Sequence, residues 1–146
     1  MTASTITGLR RRASRIARKI THDEIDLYRT VIPAGLARKV WLVQLPTIPG
    51  PYFGLTIANL VIIDHHLPPG TPSALLAHEL VHVRQFHDKG ILRFTFDYNK
   101  AFAVGLVTER RWSRAYRAIP AEVEARSETT RWLRESARNT VESDRI

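Results

Sequence analysis

The chain has 146 residues, 44% of them apolar and 25% charged, and no cysteine. That is the make-up of one soluble globular domain long enough to bury its own core, and it excludes a disulfide scaffold, a thiol nucleophile and Cys-ligated zinc or iron–sulfur sites. The net charge of +8 is uneven, because residues 1–19 hold Arg10, Arg11, Arg12, Arg15, Arg18 and Lys19 and no acid.

In chain order, residues 1–20 read as a basic N-terminal arm, helical over 8–19. Through residues 10–19 such an arm can attract nucleic acid or another anionic surface. The positive N-terminus is not followed by the apolar stretch of a secretory signal. No run approaches the roughly 20 apolar residues of a membrane span. Both readings point to a cytoplasmic protein with no membrane span. Thr21 with Glu24 makes a capping-box pattern that opens a short helix to about Val31, ended by Pro33. Val40–Leu45 is rich in β-formers and reads as a strand. Pro46, Pro49, Gly50 and Pro51 make a loop, and Leu55–Asp64 is a second strand with a bend or turn at Ala58–Asn59.

Thr71 as N-cap and Pro72 in the first turn start a helix that runs to about Lys89 and stops at Gly90. Ile91 to about Arg117 is helical, with a break near Gly105. Pro120 starts a last helix reaching about Ala137. Residues 21–138 thus form a single domain and 139–146 a polar tail. The class is α+β, a small mixed sheet followed by a helical C-terminal half. Trp41, Trp112, Trp132, Phe94 and Phe96 fall in separate elements and read as core, not as a platform for stacked bases.

One motif carries chemistry: His78-Glu79-Leu80-Val81-His82, or H-E-x-x-H. On a helix the two histidines lie one turn apart on one face, so both can ligate one Zn²⁺. Glu79 is turned about 100° from His78, within reach of a zinc-bound water whose proton it can take and pass to a leaving amine. Leu75, Leu76, Ala77, Leu80, Val81, Val83 and Phe86 make the helix apolar nearly all round, which is the mark of a buried central helix. Two histidines and a glutamate in its middle need partners, and a metal satisfies them together.

Zinc in a hydrolytic site takes three protein ligands and keeps a fourth position open. His87 points away from His78 and His82, and His65 and His66 lie in the loop before the helix, facing solvent. The better candidate is Glu122. On a helix from Pro120, at about 100° per residue, Thr129 and Leu133 fall within about 20° of Glu122, with Ala125 and Trp132 to one side and Glu124 on the outer side. Glu122 therefore faces the core, where a carboxylate needs a metal or a cation. Glu124 is the reserve. Tyr116, ahead of Tyr98, Arg114 and Arg117, is the candidate donor to the oxyanion of a tetrahedral intermediate. Asn59 reads as a turn residue.

The run Leu75–Gln85, with its H-E-x-x-H, resembles the active-site helix of small bacterial gluzincin-type zinc metallopeptidases. Pro120-Ala121-Glu122-Val123-Glu124-Ala125 resembles their P-x-E-x-E-A segment. The resemblance covers roughly residues 54–133. It implies a zincin-like fold with an edge strand packed on the central helix, one zinc per chain, Glu122 as third ligand, and Thr56–Ile63 as the edge strand that holds substrate main chain. Many such proteins carry Asp four residues after the ligand Glu, where this chain has Arg126. The expected function is a zinc metallopeptidase, an endopeptidase acting on peptide or protein substrates, with His78, His82 and Glu122 on the metal and Glu79 and Tyr116 in catalysis. The alternative is a regulatory or binding module on the same scaffold, with the basic arm contacting nucleic acid or an anionic surface.

Overall fold

The computed structural model describes residues 16–145. The expectations for residues 1–15, most of the basic helix among them, lie outside the described residues. Where the described chain begins, Ala17–Lys19 is not helical but forms strand β1. It pairs antiparallel with β2, Trp41–Gln44. Side-chain contacts help hold it there. The Arg18 guanidinium grips the buried Glu24 carboxylate through two hydrogen bonds of 2.7 and 2.8 Å, and the Lys19 ammonium lies 4.9 Å from the Trp41 ring centroid.

Helix α1, His22–Leu27, opens with the expected capping box, Thr21 and Glu24 each bonding the other's backbone N–H. It ends at Tyr28, short of Val31, because Pro33 caps a separate short helix, α2, Ala34–Ala37. The expected strand Leu55–Asp64 is a hairpin. Strand β3, Gly54–Ile57, turns at Ala58–Asn59, with Ala58 at φ 53°, and returns as β4, Leu60–Ile63. Asn59 is thus a turn residue, as read from the sequence. The sheet is mixed, with order β1-β2-β4-β3 and β2 parallel to β4. Of the expected edge strand Thr56–Ile63, only Thr56 and Ile57 lie on the edge strand β3 among the described residues, since β4 is interior.

Helix α3, Ala74–Lys89, starts three residues after Thr71. The Tyr28 hydroxyl accepts from the Ser73 backbone N–H at 3.0 Å, which keeps Ser73 extended, and its side chain then caps Leu76. Gly90, at φ 81°, ends the helix. Helix α4, Ile91–Glu109, runs through Gly105 without a break. Gly105 serves packing, since a Cβ there would meet Ala115 of α5, Trp112–Ala118, at 3.1 Å from its Cα. The break comes instead at Arg110, in the left-handed region. Helix α6, Pro120–Ser143, extends beyond Ala137 through most of the expected tail.

The core joins Leu42, Val61 and Ile63 of the sheet to Leu76, Leu80 and Val83 of α3 and to Tyr28, Val31 and Trp132. Helix α3 packs on β3 and β4 on one side and on α4 and α6 on the other. The architecture is α+β, a small four-stranded mixed sheet with a helical C-terminal half. Of the aromatic residues expected in the core, Trp132 and Phe94 are buried, but Trp41, Trp112 and Phe96 are exposed. No helix among the described residues is long and apolar enough to cross a membrane.

Candidate metal centre

The apolar girdle of α3 places its polar residues. Leu76, Ala77, Leu80, Val81 and Val83 are fully buried against the sheet and the neighbouring helices, so the H-E-x-x-H turn faces the seam between β3, α4 and α6. Glu122 enters that seam from the first turn of α6, where it is 2% exposed. The inward stripe of α6 is Glu122, Ala125, Thr129 and Trp132. Leu133, expected on that face, is exposed.

Three ligand-type atoms converge. His78 Nε2 lies 3.0 Å from Glu122 Oε2, His82 Nε2 lies 3.2 Å from Glu122 Oε1, and the two Nε2 atoms are 3.2 Å apart. Ligands held at about 2.0–2.1 Å around a tetrahedral zinc are separated by about 3.3 Å, so the donor set fits a metal ion in both spacing and chemistry. His78, His82 and Glu122 form a group that could hold one. The electrostatics agree. Burial alone would raise the Glu122 carboxyl, but the His78 and His82 rings against it hold it well below the usual carboxylate range. Burial alone would lower the His82 ring, but Glu122, together with Glu79 and Gln85, raises it. Glu122 thus requires positive charge beside it, which a protonated imidazole or a divalent cation provides.

The supporting shell orients these atoms. His82 Nδ1 meets Gln85 Oε1 at 2.8 Å, which frees Nε2 for a ligand when Nδ1 carries the proton. Gln85 in turn donates to Glu124 Oε2 and to the Ala121 carbonyl, at 2.8 and 3.1 Å. Glu124, the reserve ligand of the sequence reading, therefore binds Gln85 and Arg84 and stays outside the His–His–Glu group. The Tyr98 hydroxyl donates to Glu122 Oε1 at 2.7 Å. Arg126 reaches back to the Arg117 carbonyl.

Glu79 lies on the other side of the turn, 5% exposed. Its Oε2 accepts from the Thr56 hydroxyl at 2.7 Å. A Cβ on Gly54 would lie 2.5 Å from its Oε1, so β3 and Glu79 are as close as a glycine allows. Burial pushes the Glu79 carboxyl up, against the downward pull of His82, Thr56 and His78. Glu79, His82, Glu122, Tyr98 and Tyr116 line one cavity of about 410 Å³ with β3. Tyr116 stacks on Trp112, centroids 5.5 Å apart, and meets the Tyr52 ring edge-on at 6.3 Å. Burial and then Glu122 raise the Tyr116 hydroxyl above its ordinary pKa.

The structure thus brings together His78, Glu79, His82, Glu122 and Tyr116. His65, His66, His87, Arg114 and Arg117 are exposed and do not line the cavity. Of the basic residues 10–19, Arg18 faces inward onto Glu24, and Arg10–Arg15 lie outside the described residues. The sequence reading missed the roles of Thr56, Gln85 and Tyr52 and the bond from Tyr98 to Glu122. Tyr98 was legible as the polar member of a face with Ile91 and Phe94, at one-turn spacing. Gln85, one turn after His82, was legible in the same way.

Comparison with models of known protein families, with curated proteins and with solved structures finds no match to this chain.

Proposed function

We propose that this chain is a zinc-dependent metallopeptidase of zincin-like architecture, with His78, His82 and Glu122 holding one Zn²⁺. The observation that carries the reading is the convergence of three ligand atoms, at separations of 3.0–3.2 Å, beside a second carboxylate, Glu79, on the helix that carries both histidines. Bound zinc would acidify water and polarise a substrate carbonyl. The chain's own groups supply the rest. Glu79 takes the proton of the attacking water and delivers it to the departing amine, and its burial suits a carboxyl that must hold a proton in mid-reaction. The phenol of Tyr116 donates to the oxyanion. Among the described residues strand β3 pairs with only one neighbour, β4, so its outer backbone groups can pair with an extended peptide laid along the cavity.

The test is metal content of the purified protein beside Glu122→Gln, His82→Ala and Glu79→Gln. About one zinc per chain is expected in the wild type and in Glu79→Gln, and little in the other two. A peptide library should be cleaved by the wild type and left intact by Glu79→Gln. A wild type that takes up no metal from excess zinc overturns the reading.

A further inference from the structure

Helix α4 is apolar on two faces, and among the described residues only one of them is packed against the fold. Phe94 and Gly105 are buried and Tyr98 bonds Glu122 on the inner side. On the outer side Leu92, Phe96 and Val107 are 88%, 64% and 78% exposed. At about 100° per residue these three fall within about 60° of one another, with Ala103 among them. They form one stripe along the helix, at a site where a soluble surface would carry polar side chains.

The charge around the stripe decides what covers it. Residues 89–114 hold Lys89, Arg93, Lys100, Arg110, Arg111 and Arg114 against only Asp97 and Glu109. Arg93 and Lys89 both reach Asp97, at 3.1 and 3.9 Å, and Lys100 lies beside the stripe. Trp112, 40% exposed, sits among the arginines just past the end of α4. A second copy seated on the same stripe would bring its own basic flank, +4 over residues 89–114, against this one, with like charges opposed. An anionic lipid surface answers both the apolar stripe and the basic flanks, which is the pattern of a helix lying in the plane of a membrane interface.

We propose that α4 seats this protein on an anionic membrane surface, with Leu92, Phe96 and Val107 entering the boundary between headgroups and acyl chains. Ile91, Thr95 and Asn99 of the same helix line the cavity, so the seated protein presents the cavity mouth close to that surface. The inference does not rest on the metallopeptidase reading, because binding to vesicles is measured without zinc or hydrolysis.

The experiment is vesicle flotation of the full chain, with phosphatidylcholine alone and with phosphatidylserine added, at low and high salt. The wild type should float with the anionic vesicles, more weakly as salt rises, since each cation near an anionic leaflet adds about fivefold in affinity. Leu92→Ser/Phe96→Ser/Val107→Ser should bind on the order of a hundredfold more weakly while keeping the full positive charge. Its zinc uptake or far-ultraviolet dichroism, unchanged from wild type, shows that it is folded. Three results overturn the proposal. The first is a wild type that does not float. The second is a triple variant that floats as well as the wild type, which assigns binding to basic residues elsewhere. The third is a wild-type dimer in light scattering that the triple variant converts to monomer, which assigns the stripe to a second copy.

Discussion

The Tyr98 hydroxyl donates to Glu122 Oε1 at 2.7 Å, across the seam between α4 and α6. The bond fixes the carboxylate while its other oxygen faces His78 Nε2 at 3.0 Å. Burial and then Glu122 raise the pKa of this phenol, so it remains a donor at any working pH. Tyr98→Phe keeps the ring against Phe94 and removes the donor. A lost supporting bond of this kind costs about 10- to 100-fold in metal affinity. Titration with a zinc chelator should show that loss, with the fold unchanged. An affinity equal to wild type would mean that Tyr98 packs without positioning Glu122.

Gly54 and Thr56 place Glu79 against the edge strand from two directions. Gly54→Ala should displace the carboxylate, because the new Cβ would lie 2.5 Å from Oε1. Under the proposed activity kcat should fall by about 100-fold, within the range that a positioned acid–base group contributes, with zinc content retained. Thr56→Val removes the 2.7 Å bond and should fall less, by about tenfold, with Thr56→Ser restoring most of the rate. Zinc content measured beside the rate separates a displaced base from a lost metal. A Gly54→Ala enzyme as fast as wild type would remove Glu79 from the chemistry.

The parts legible in the sequence were those with a local physical signal. Thr21 and Glu24 announced a helix start through their own side chains, and the spacing of His78 and His82 made one helical face whatever surrounded it. Glu122 was found because a carboxylate on an apolar stripe needs a partner. The parts that escaped depend on distant contacts. Ala17–Lys19 is a strand because β2 is there to pair with it, and its own basic residues gave no sign of that. Thr71 and Pro72 are good helix starters, yet a hydroxyl 45 positions away, on Tyr28, keeps Ser73 extended. Gly105 looked like a break and is a contact point with Ala115. The bond from Thr56 to Glu79 has no sequence signature, since it depends on β3 crossing that turn of α3.

Glu24 makes a pH-dependent lock between β1, α1 and the loop before α3. Its carboxylate is fully buried and accepts from Arg18, Thr21 and Gly70. Burial alone would raise it, but Arg18, Thr21 and Gly70 together hold it below the usual carboxylate value of 4.5. A pKa depressed in the folded state stabilises above the unfolded value, and that stability is lost as pH falls through the folded value. The melting-temperature gap between wild type and Glu24→Gln should therefore be constant above about pH 5.5 and narrow from about pH 4.5 downward. A gap that widens on acidification would show that the Arg18 contact does not hold Glu24 ionised.

Trp132 fastens the long C-terminal helix to the N-terminal segment. Its ring stacks on Tyr28, centroids 5.1 Å apart, and its Nε1 donates to the Leu27 carbonyl at 2.9 Å. Tyr28 is fully buried, its pKa pushed up to about 12 chiefly by that burial. The same ring system thus ties α6 to α1 and, through the Tyr28 hydroxyl, to the start of the helix that carries His78. Trp132→Ala should cost about 3–5 kcal/mol, as a large aromatic removed from a core does. Trp132→Phe keeps most of the stack and leaves the Leu27 carbonyl without its donor, at about 1 kcal/mol. Urea unfolding of both variants, followed by far-ultraviolet dichroism, gives the two costs. The seam carries the fold together if the first is several times the second. Equal small losses would mean that α6 is held by its first two turns alone, and Trp132→Ala would then keep its zinc affinity as well as its stability.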